Sequence, residues 1–231
     1  MTAVKLAPRP GFTSRDRALG MAGAWTAFAV NGAYAICSGL GFLSAKSPSA
    51  TISDPFLSIM SLLVVLMAPF LVLTMVAVHA YASPEHKSYS LAALSFMVLV
   101  AGITSIVNFT LFFVARQPDQ AAYPWAMSYL PSGWPPLPFA LDYFTWDWFF
   151  ALAMLFAAPV FWGSTLEKAV RLLMILSAIL CIVGLVLLPI SPTHGAVVGT
   201  LGWGVAGPFV CLLLANIFTR TPPDPGLSPA A

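Results

Sequence analysis

The chain has 231 residues, of which 59% are hydrophobic and only 8% are charged, and its net charge is +2. Soluble domains carry about 25% charged residues, and so small a polar fraction cannot cover the exterior of a soluble fold. The basic residues are scattered rather than gathered into a patch, which argues against a nucleic-acid partner. The composition therefore indicates a protein whose main partner is the lipid bilayer.

Residues 1–20 are mixed and polar, and we expect them to form a cytoplasmic segment rather than a cleavable signal peptide. A helix needs about 20 mostly apolar residues to cross a bilayer. Six runs qualify, at 21–43, 56–81, 89–115, 143–162, 169–190 and 196–218. The sequence predicts an all-α, polytopic transmembrane bundle with six spans over 21–218.

The distribution of Lys and Arg predicts the orientation of this bundle. If the N-terminus is inside, the inner segments hold Lys5, Arg9, Arg15, Arg17, Lys87, Lys168, Arg171 and Arg220. The outer segments then hold only Lys46 and Arg116. Basic residues concentrate on the cytoplasmic side of membrane proteins. We therefore expect both termini in the cytoplasm and a location in a bacterial inner membrane.

The longest connection, at 116–142, lies on the outer side and is rich in proline and aromatic residues. Trp and Tyr favour the headgroup level of a bilayer. We interpret this loop as an ordered cap, with Trp125, Trp134 and Trp146 as candidate lid residues; the alternative is a plain linker. The Pro-rich tail at 219–231 is predicted to be disordered.

Ionisable residues inside a membrane are costly and commonly functional. Asp147 lies five residues inside Asp142, roughly 7–8 Å deeper along predicted helix 4, and is a candidate proton or ligand site. Asp142 is predicted to lie at the interface and to cap the start of that helix. Asn108 lies at a similar depth on helix 3, one turn from Thr104. The trio Thr104, Asn108 and Asp147 is predicted to line a polar pocket, or else to form interhelical hydrogen bonds.

Other polar and irregular positions carry weaker signals. Asn31 lies in helix 1 near Gly32 and Gly39, where small residues permit close helix packing. Prolines are predicted to kink helices 2, 4 and 6, at Pro69, Pro159 and Pro208. The cysteines and histidines show no metal-ligand spacing and no haem pattern, so we predict neither a metal nor a cofactor. These residues are Cys37, Cys181, Cys211, His79, His86 and His194.

Several segments carry a resemblance to known proteins: LVLTMVAVH at 71–79, PEHK at 84–87, ALD at 140–142, WD at 146–147 and AAPVF at 157–161. The pattern they form resembles that of uncharacterised bacterial six-helix integral membrane proteins. The resemblance covers most of the chain and implies the six-span topology. It implies no activity.

Three functions remain open. The first is binding or movement of a small or lipophilic molecule in an outer-half pocket between helices 3 and 4. The second is a structural or assembly subunit that contacts other membrane subunits. The third, which we favour least, is an enzyme acting on a lipid or isoprenoid, in which Asp147 and Asp142 divide acid and base roles.

Overall fold

A computed structural model describes residues 6–44, 52–115 and 137–227 of the chain. These residues form six long helices. They are α1 (Ser14–Ser44), α2 (Phe56–Tyr81), α3 (Lys87–Ala115), α4 (Leu137–Val160), α5 (Thr165–Leu187) and α6 (Pro192–Arg220). All six are long and apolar enough to cross a membrane. The predicted all-α bundle of six helices is confirmed, and the chain is a multi-pass membrane protein.

Two helices, α1 and α4, start six or more residues before the predicted position, and local chemistry explains both. Helix α1 begins at Ser14 rather than at Met21, because Thr13 and Asp16 cap it reciprocally. The Thr13 backbone N–H donates to Asp16 Oδ2 at 2.9 Å, and the Asp16 N–H donates to Thr13 Oγ1 at 3.1 Å. Helix α4 begins at Leu137 rather than at Tyr143. Pro138 lies in the first turn of α4. Backbone N–H groups there have no partner within the helix, so the N–H that proline lacks is not needed.

The helices form a ring in chain order. Each helix packs against the next, and α6 returns to α1 and closes the ring. The short connections that follow α2, α4 and α5 favour this arrangement because they make consecutive helices antiparallel neighbours. Large apolar side chains such as Ile36, Ile106 and Leu172 point outward and are more than two-thirds exposed. An outer surface of this kind suits lipid, where exposed apolar side chains carry no penalty.

Helices α4 and α6 each contain one wide π-helical turn, at Thr145–Phe150 and Leu201–Ala206. The two π turns pack against each other. In α6 the π turn is followed directly by Gly207 and Pro208. Proline donates no N–H and crowds the carbonyl one turn earlier, so a widened turn relieves the clash. Both π turns lie midway along their helices, well inside the membrane-spanning length.

The segments that flank the bundle close over one of its ends. The Leu6 N–H donates to the Arg220 carbonyl at 3.0 Å, and the Asp224 N–H donates to the Phe12 carbonyl at 2.9 Å. The Gly11 N–H donates to Asp224 Oδ2 at 2.8 Å. Gly11 has a φ of +81°, a left-handed conformation that glycine adopts without steric cost. We call this pairing of residues 6–13 with residues 220–224 the terminal clasp.

Phe12 anchors the terminal clasp in the core. Its side chain is fully buried, with its ring centroid 5.6 Å from that of Tyr81 and 6.2 Å from that of Phe218. Backbone hydrogen bonds thus join Arg220 and Asp224 to the N-terminal segment, and the predicted disorder of 219–231 stays a prediction. Residues 228–231 lie outside the described residues.

The structure describes only part of the predicted outer cap. Trp125 and Trp134 lie between 116 and 136, outside the described residues. Residues 137–142, which we assigned to the loop, instead form the first turns of α4. Trp146 is 4% exposed and lies in the bundle interior rather than in a surface cap.

Candidate functional site

A polar cluster joins α3 to α4 through Asp142. Thr104 Oγ1 donates to Asp142 Oδ1 at 2.6 Å, and Asn108 Nδ2 donates to the same oxygen at 3.3 Å. Asn108 Nδ2 also donates to the Thr104 carbonyl at 2.9 Å. The indole N–H of Trp146 donates to Thr104 Oγ1 at 3.2 Å. The Thr104 hydroxyl thus both donates and accepts, which makes the cluster an interhelical hydrogen-bond network.

This geometry corrects two predictions. Asp142 does not cap the start of α4, because the helix begins at Leu137 and Asp142 lies in its second turn. The partner of Thr104 and Asn108 is Asp142 rather than Asp147. The alternative that the sequence left open, interhelical hydrogen bonding, describes Thr104 and Asn108 better than a pocket does.

Asp147 lies apart from this cluster. It is fully buried, and neither of its carboxyl oxygens has a hydrogen-bond partner among the described residues. It is ten residues past Leu137, or about 15 Å along α4 at 1.5 Å per residue, near the middle of the helix. Most buried polar atoms in proteins are hydrogen-bonded, so an orphaned carboxyl group points to a function or to a missing partner.

The carboxyl group of Asp147 faces α6, where glycine makes room for it. A Cβ atom on Gly199 would overlap the Asp147 carboxyl group, so only glycine permits this approach. The indole N–H of Trp203, in the π turn of α6, lies close to the same carboxyl group but makes no hydrogen bond of regular geometry with it. That indole N–H is also buried without a partner in the described part of the chain. Cys181 of α5 lies close enough to interact electrostatically with the carboxylate.

No cation among the described residues forms an ion pair with this carboxyl group. Within residues 6–44, 52–115 and 137–227, the single ion pair joins Arg9 to Glu167, at the end of the bundle that carries the terminal clasp. An isolated carboxylate is costly in an apolar medium, because neither water nor a counter-charge solvates it. Asp147 therefore needs a proton, a hydrogen-bond donor or a cation from outside the described part of the chain.

A narrow apolar cavity lies at the centre of the ring of helices. Its volume is about 20 Å³, which is room for about one water molecule. Trp203 connects the two features, because its ring lines the cavity while its N–H faces Asp147. Seven of the fifteen other lining residues are aromatic or contain sulfur: Met67, Met75, Met97, Met154, Cys211, Trp146 and Phe150. Methionine is flexible and polarizable, so such walls can adjust to an occupant.

A second polar cluster, which we did not predict, lies beneath the terminal clasp. Glu167 forms an ion pair with Arg9 and accepts a hydrogen bond from the Tyr81 hydroxyl at 2.8 Å. It also accepts from the Ser164 backbone N–H at 2.6 Å, and the Glu167 N–H donates to Ser164 Oγ at 3.2 Å. The Ser164-to-Glu167 spacing is a capping-box pattern and could have marked the start of α5. No local sequence pattern of this kind identifies Arg9 as the partner of Glu167.

The electrostatics of this cluster favour the charged pair. Burial lowers the pKa of Arg9, but bonding to Tyr81 and Glu167 more than offsets that effect and raises the pKa above its ordinary value. The guanidinium carbon lies 4.7 Å from the centre of the Tyr81 ring, within range for a cation–π contact. All the polar groups here have partners within the protein, so we assign the cluster a structural role.

Asn31 and the glycines near it face opposite ways. Asn31 is buried, and its Nδ2 donates to the sulfur of Met67 on α2 at 3.7 Å. Gly32 and Gly39 point outward, and a Cβ atom on either would meet open space. Helix α1 therefore packs through its Asn31 side and leaves small residues exposed.

Comparison of the chain with protein-family models, with curated proteins and with solved structures finds no match. The function must therefore be argued from the site. The described residues contain no group of three or more His, Cys, Asp or Glu side chains placed to hold a metal ion. The predicted absence of a metal and of a cofactor stays a prediction.

Proposed function

We propose that this chain is a protein of the bacterial inner membrane that binds or moves a small, mainly apolar molecule at the centre of its helical ring. Asp147 is the residue that contacts the ligand or exchanges a proton. The observation that carries the proposal is the Asp147 carboxyl group, which is fully buried and has no partner in the described chain. Ionisable groups at this depth commonly mark substrate or proton pathways.

The irregular turns in α4, which carries Asp147, and in α6, which faces it, support the same proposal. Asp147 lies within the π turn Thr145–Phe150, and Trp203 lies within the π turn Leu201–Ala206. Such turns are rare and are frequent at functional sites, since the local backbone is less constrained than a regular helix. Broken spanning helices also mark the binding sites of many transporters. The two π turns meet where the unpartnered groups of Asp147 and Trp203 lie.

The site therefore differs from the one that the sequence suggested. An outer pocket between α3 and α4 requires Thr104 and Asn108 to have free polar groups, but both bond to Asp142. The enzyme hypothesis requires Asp142 and Asp147 to act together. Asp142 bonds to α3 while Asp147 faces Gly199 of α6, so the two carboxyl groups do not share a site.

The proposal is tested on purified protein in lipid nanodiscs. Thermal unfolding is followed with a library of small lipophilic compounds that includes neutral, cationic and anionic members. At a concentration of 100 times Kd, a ligand stabilises the folded state by about 2.7 kcal/mol, which is readily measured. We expect at least one compound to stabilise the wild type and to lose its effect in Asp147→Asn. The control Asp142→Asn, on the same helix, should respond as the wild type does. Equal responses of Asp147→Asn and wild type to all compounds would reject the proposal.

A second function, that of an assembly subunit, is favoured by the outward face of α1. Gly32 and Gly39 are exposed there together with Ala29 and Ala33. Small residues let two spanning helices approach closely. Gly32→Leu should then abolish a higher-mass complex on native gels of solubilised membranes. Gly102→Leu is the matched control, because Gly102 of α3 also faces open space. A complex that survives Gly32→Leu, or that is absent from the wild type, rejects this function.

A further inference from the structure

We infer that the ligand taken up beside Asp147 is a lipophilic organic cation. This inference rests on the proposed function, for which it names the class of ligand. It follows from three features of the same region: the buried carboxylate, the aromatic walls and the apolar sulfur-rich lining.

The carboxylate determines the sign of the ligand's charge. Asp147 is fully buried, and among the described residues no Lys, Arg or His is paired with it. A cation that enters the site removes the cost of an isolated negative charge, whereas an anion would double it. A neutral ligand could offer only a hydrogen bond. The site therefore selects for positive charge.

The aromatic side chains supply a second preference for cations. The rings of Trp146, Phe150 and Trp203 line the cavity. Their centroids lie close together, with Trp146 5.4 Å from Phe150 and 5.5 Å from Trp203. The face of an indole ring attracts a cation, most strongly when water is excluded. Asp147 does not itself line the cavity, but Trp203 adjoins both the cavity and the carboxyl group, so a cation against the Trp203 ring is attracted by both.

The rest of the lining determines that the cation is organic and lipophilic. The remaining walls are largely thioether and hydrocarbon, with Met67, Met97 and Met154 from three different helices. These groups cannot replace the hydration shell of a hard metal ion, which requires several oxygen ligands. They do offer dispersion contacts to alkyl and aryl groups. A substituted ammonium with apolar groups fits both the charge and the walls.

The cavity must widen to hold such a ligand, since its volume is about 20 Å³. Two features place the flexibility between α4 and α6. The π turns that carry Asp147 and Trp203 face each other, and Gly207 and Pro208 follow the second of them on the cavity wall. Glycine and proline next to a wide turn allow a helix to bend there. Ligand binding is therefore accompanied by separation of α4 from α6.

The test compares two probes of the same shape, phenyltrimethylammonium and its neutral isostere tert-butylbenzene. Binding to the protein in nanodiscs is measured by ligand-observed NMR, with empty nanodiscs as the background. We expect the wild type to bind the cation more tightly than the neutral probe. Asp147→Asn should weaken cation binding at least about ten-fold, which corresponds to about 1.4 kcal/mol. It should leave the neutral probe unchanged, and Asp142→Asn should change neither.

Further variants and outcomes separate this inference from the proposed function. Trp203→Leu removes the ring without touching the carboxyl group, and it should also weaken cation binding. Size-exclusion profiles check that each variant is folded. Neutral binding as tight as cation binding, or cation binding unchanged in Asp147→Asn, overturns the inference. If neutral or anionic library members stabilise the wild type through Asp147 while the cation does not bind, the proposed function stands and the ligand class is wrong.

Discussion

Arg9 of the N-terminal segment forms an ion pair with Glu167 in the first turn of α5. The Tyr81 hydroxyl, at the end of α2, donates to the same carboxylate at 2.8 Å. One buried carboxylate thus links three distant parts of the chain at the end of the bundle that carries the terminal clasp. The Glu167 side chain is 4% exposed, so loss of Arg9 leaves a largely buried carboxylate without its cation.

Arg9→Gln should therefore destabilise the protein strongly. Removing one member of a buried ion pair leaves the other charge uncompensated, at a typical cost of about 3 kcal/mol. Thermal unfolding in nanodiscs measures the loss, and Arg15→Gln is the matched control, because Arg15 is exposed. The double variant Arg9→Gln/Glu167→Gln should lose less stability than the sum of the two single variants. An unfolding temperature of Arg9→Gln equal to that of the control contradicts the assigned role.

The contact between α5 and α6 gives a second prediction, because it is a contact of backbone against backbone. A Cβ atom on Gly184 would lie 2.5 Å from the backbone nitrogen of Gly199, and neither backbone can move aside alone. Gly184→Ala should reduce the free energy of unfolding by about 2 kcal/mol, within the usual range for overpacking. Gly102→Ala adds the same methyl group in open space and should have no such effect. Equal stabilities of the two variants would show that the helices separate freely.

The network around Asp142 gives a third prediction. Thr104→Val removes both the donor to Asp142 and the acceptor for Trp146 while keeping the side-chain volume. Interhelical hydrogen bonds in membranes are worth about 1 kcal/mol each, so we expect a loss of about 1–2 kcal/mol. Thr110→Val is the control, since that hydroxyl is exposed and bonds only within its own helix. In a double-mutant cycle, Thr104→Val and Asp142→Asn should be coupled, and additive effects would argue against the direct bond.

The sequence predicts the spans well where hydropathy changes sharply. Helix α2 runs from Phe56 to Tyr81 as predicted, because polar residues and prolines flank an uninterrupted apolar run. Helix α4 is harder to predict because it is less apolar than α2. Its first turns contain Pro138 and Asp142, which favour a loop by composition. Their true position depends on bonds from Asp142 to α3, which local patterns do not encode.

Only part of the candidate site could be predicted from the sequence. The rarity of carboxylates in spanning segments identified Asp147, and the structure places that side chain in the bundle interior. The direction in which the Asp147 side chain points could not be predicted, because a π turn rotates side chains away from the regular helical period. The terminal clasp could not be predicted from local patterns either. Phe12 and Asp224 pair across almost the whole chain, and their local segments have the composition of disordered tails.

The orientation of the bundle gives the last prediction. The connection between α2 and α3 lies at the same end as the termini, and the connection between α5 and α6 lies at the opposite end. The excess of Lys and Arg at the first end predicts that it faces the cytoplasm. Glu85 is an exposed residue of the first connection, and Thr193 is an exposed residue in the first turn of α6, next to the second. Glu85→Cys should react with a membrane-impermeant maleimide only after permeabilisation of the cells, whereas Thr193→Cys should react in intact cells. The native cysteines are buried, so the unmodified protein supplies an unlabelled background. The reverse pattern would place the termini outside, and reaction of both variants in intact cells would mean that the helices between them do not span the membrane as proposed.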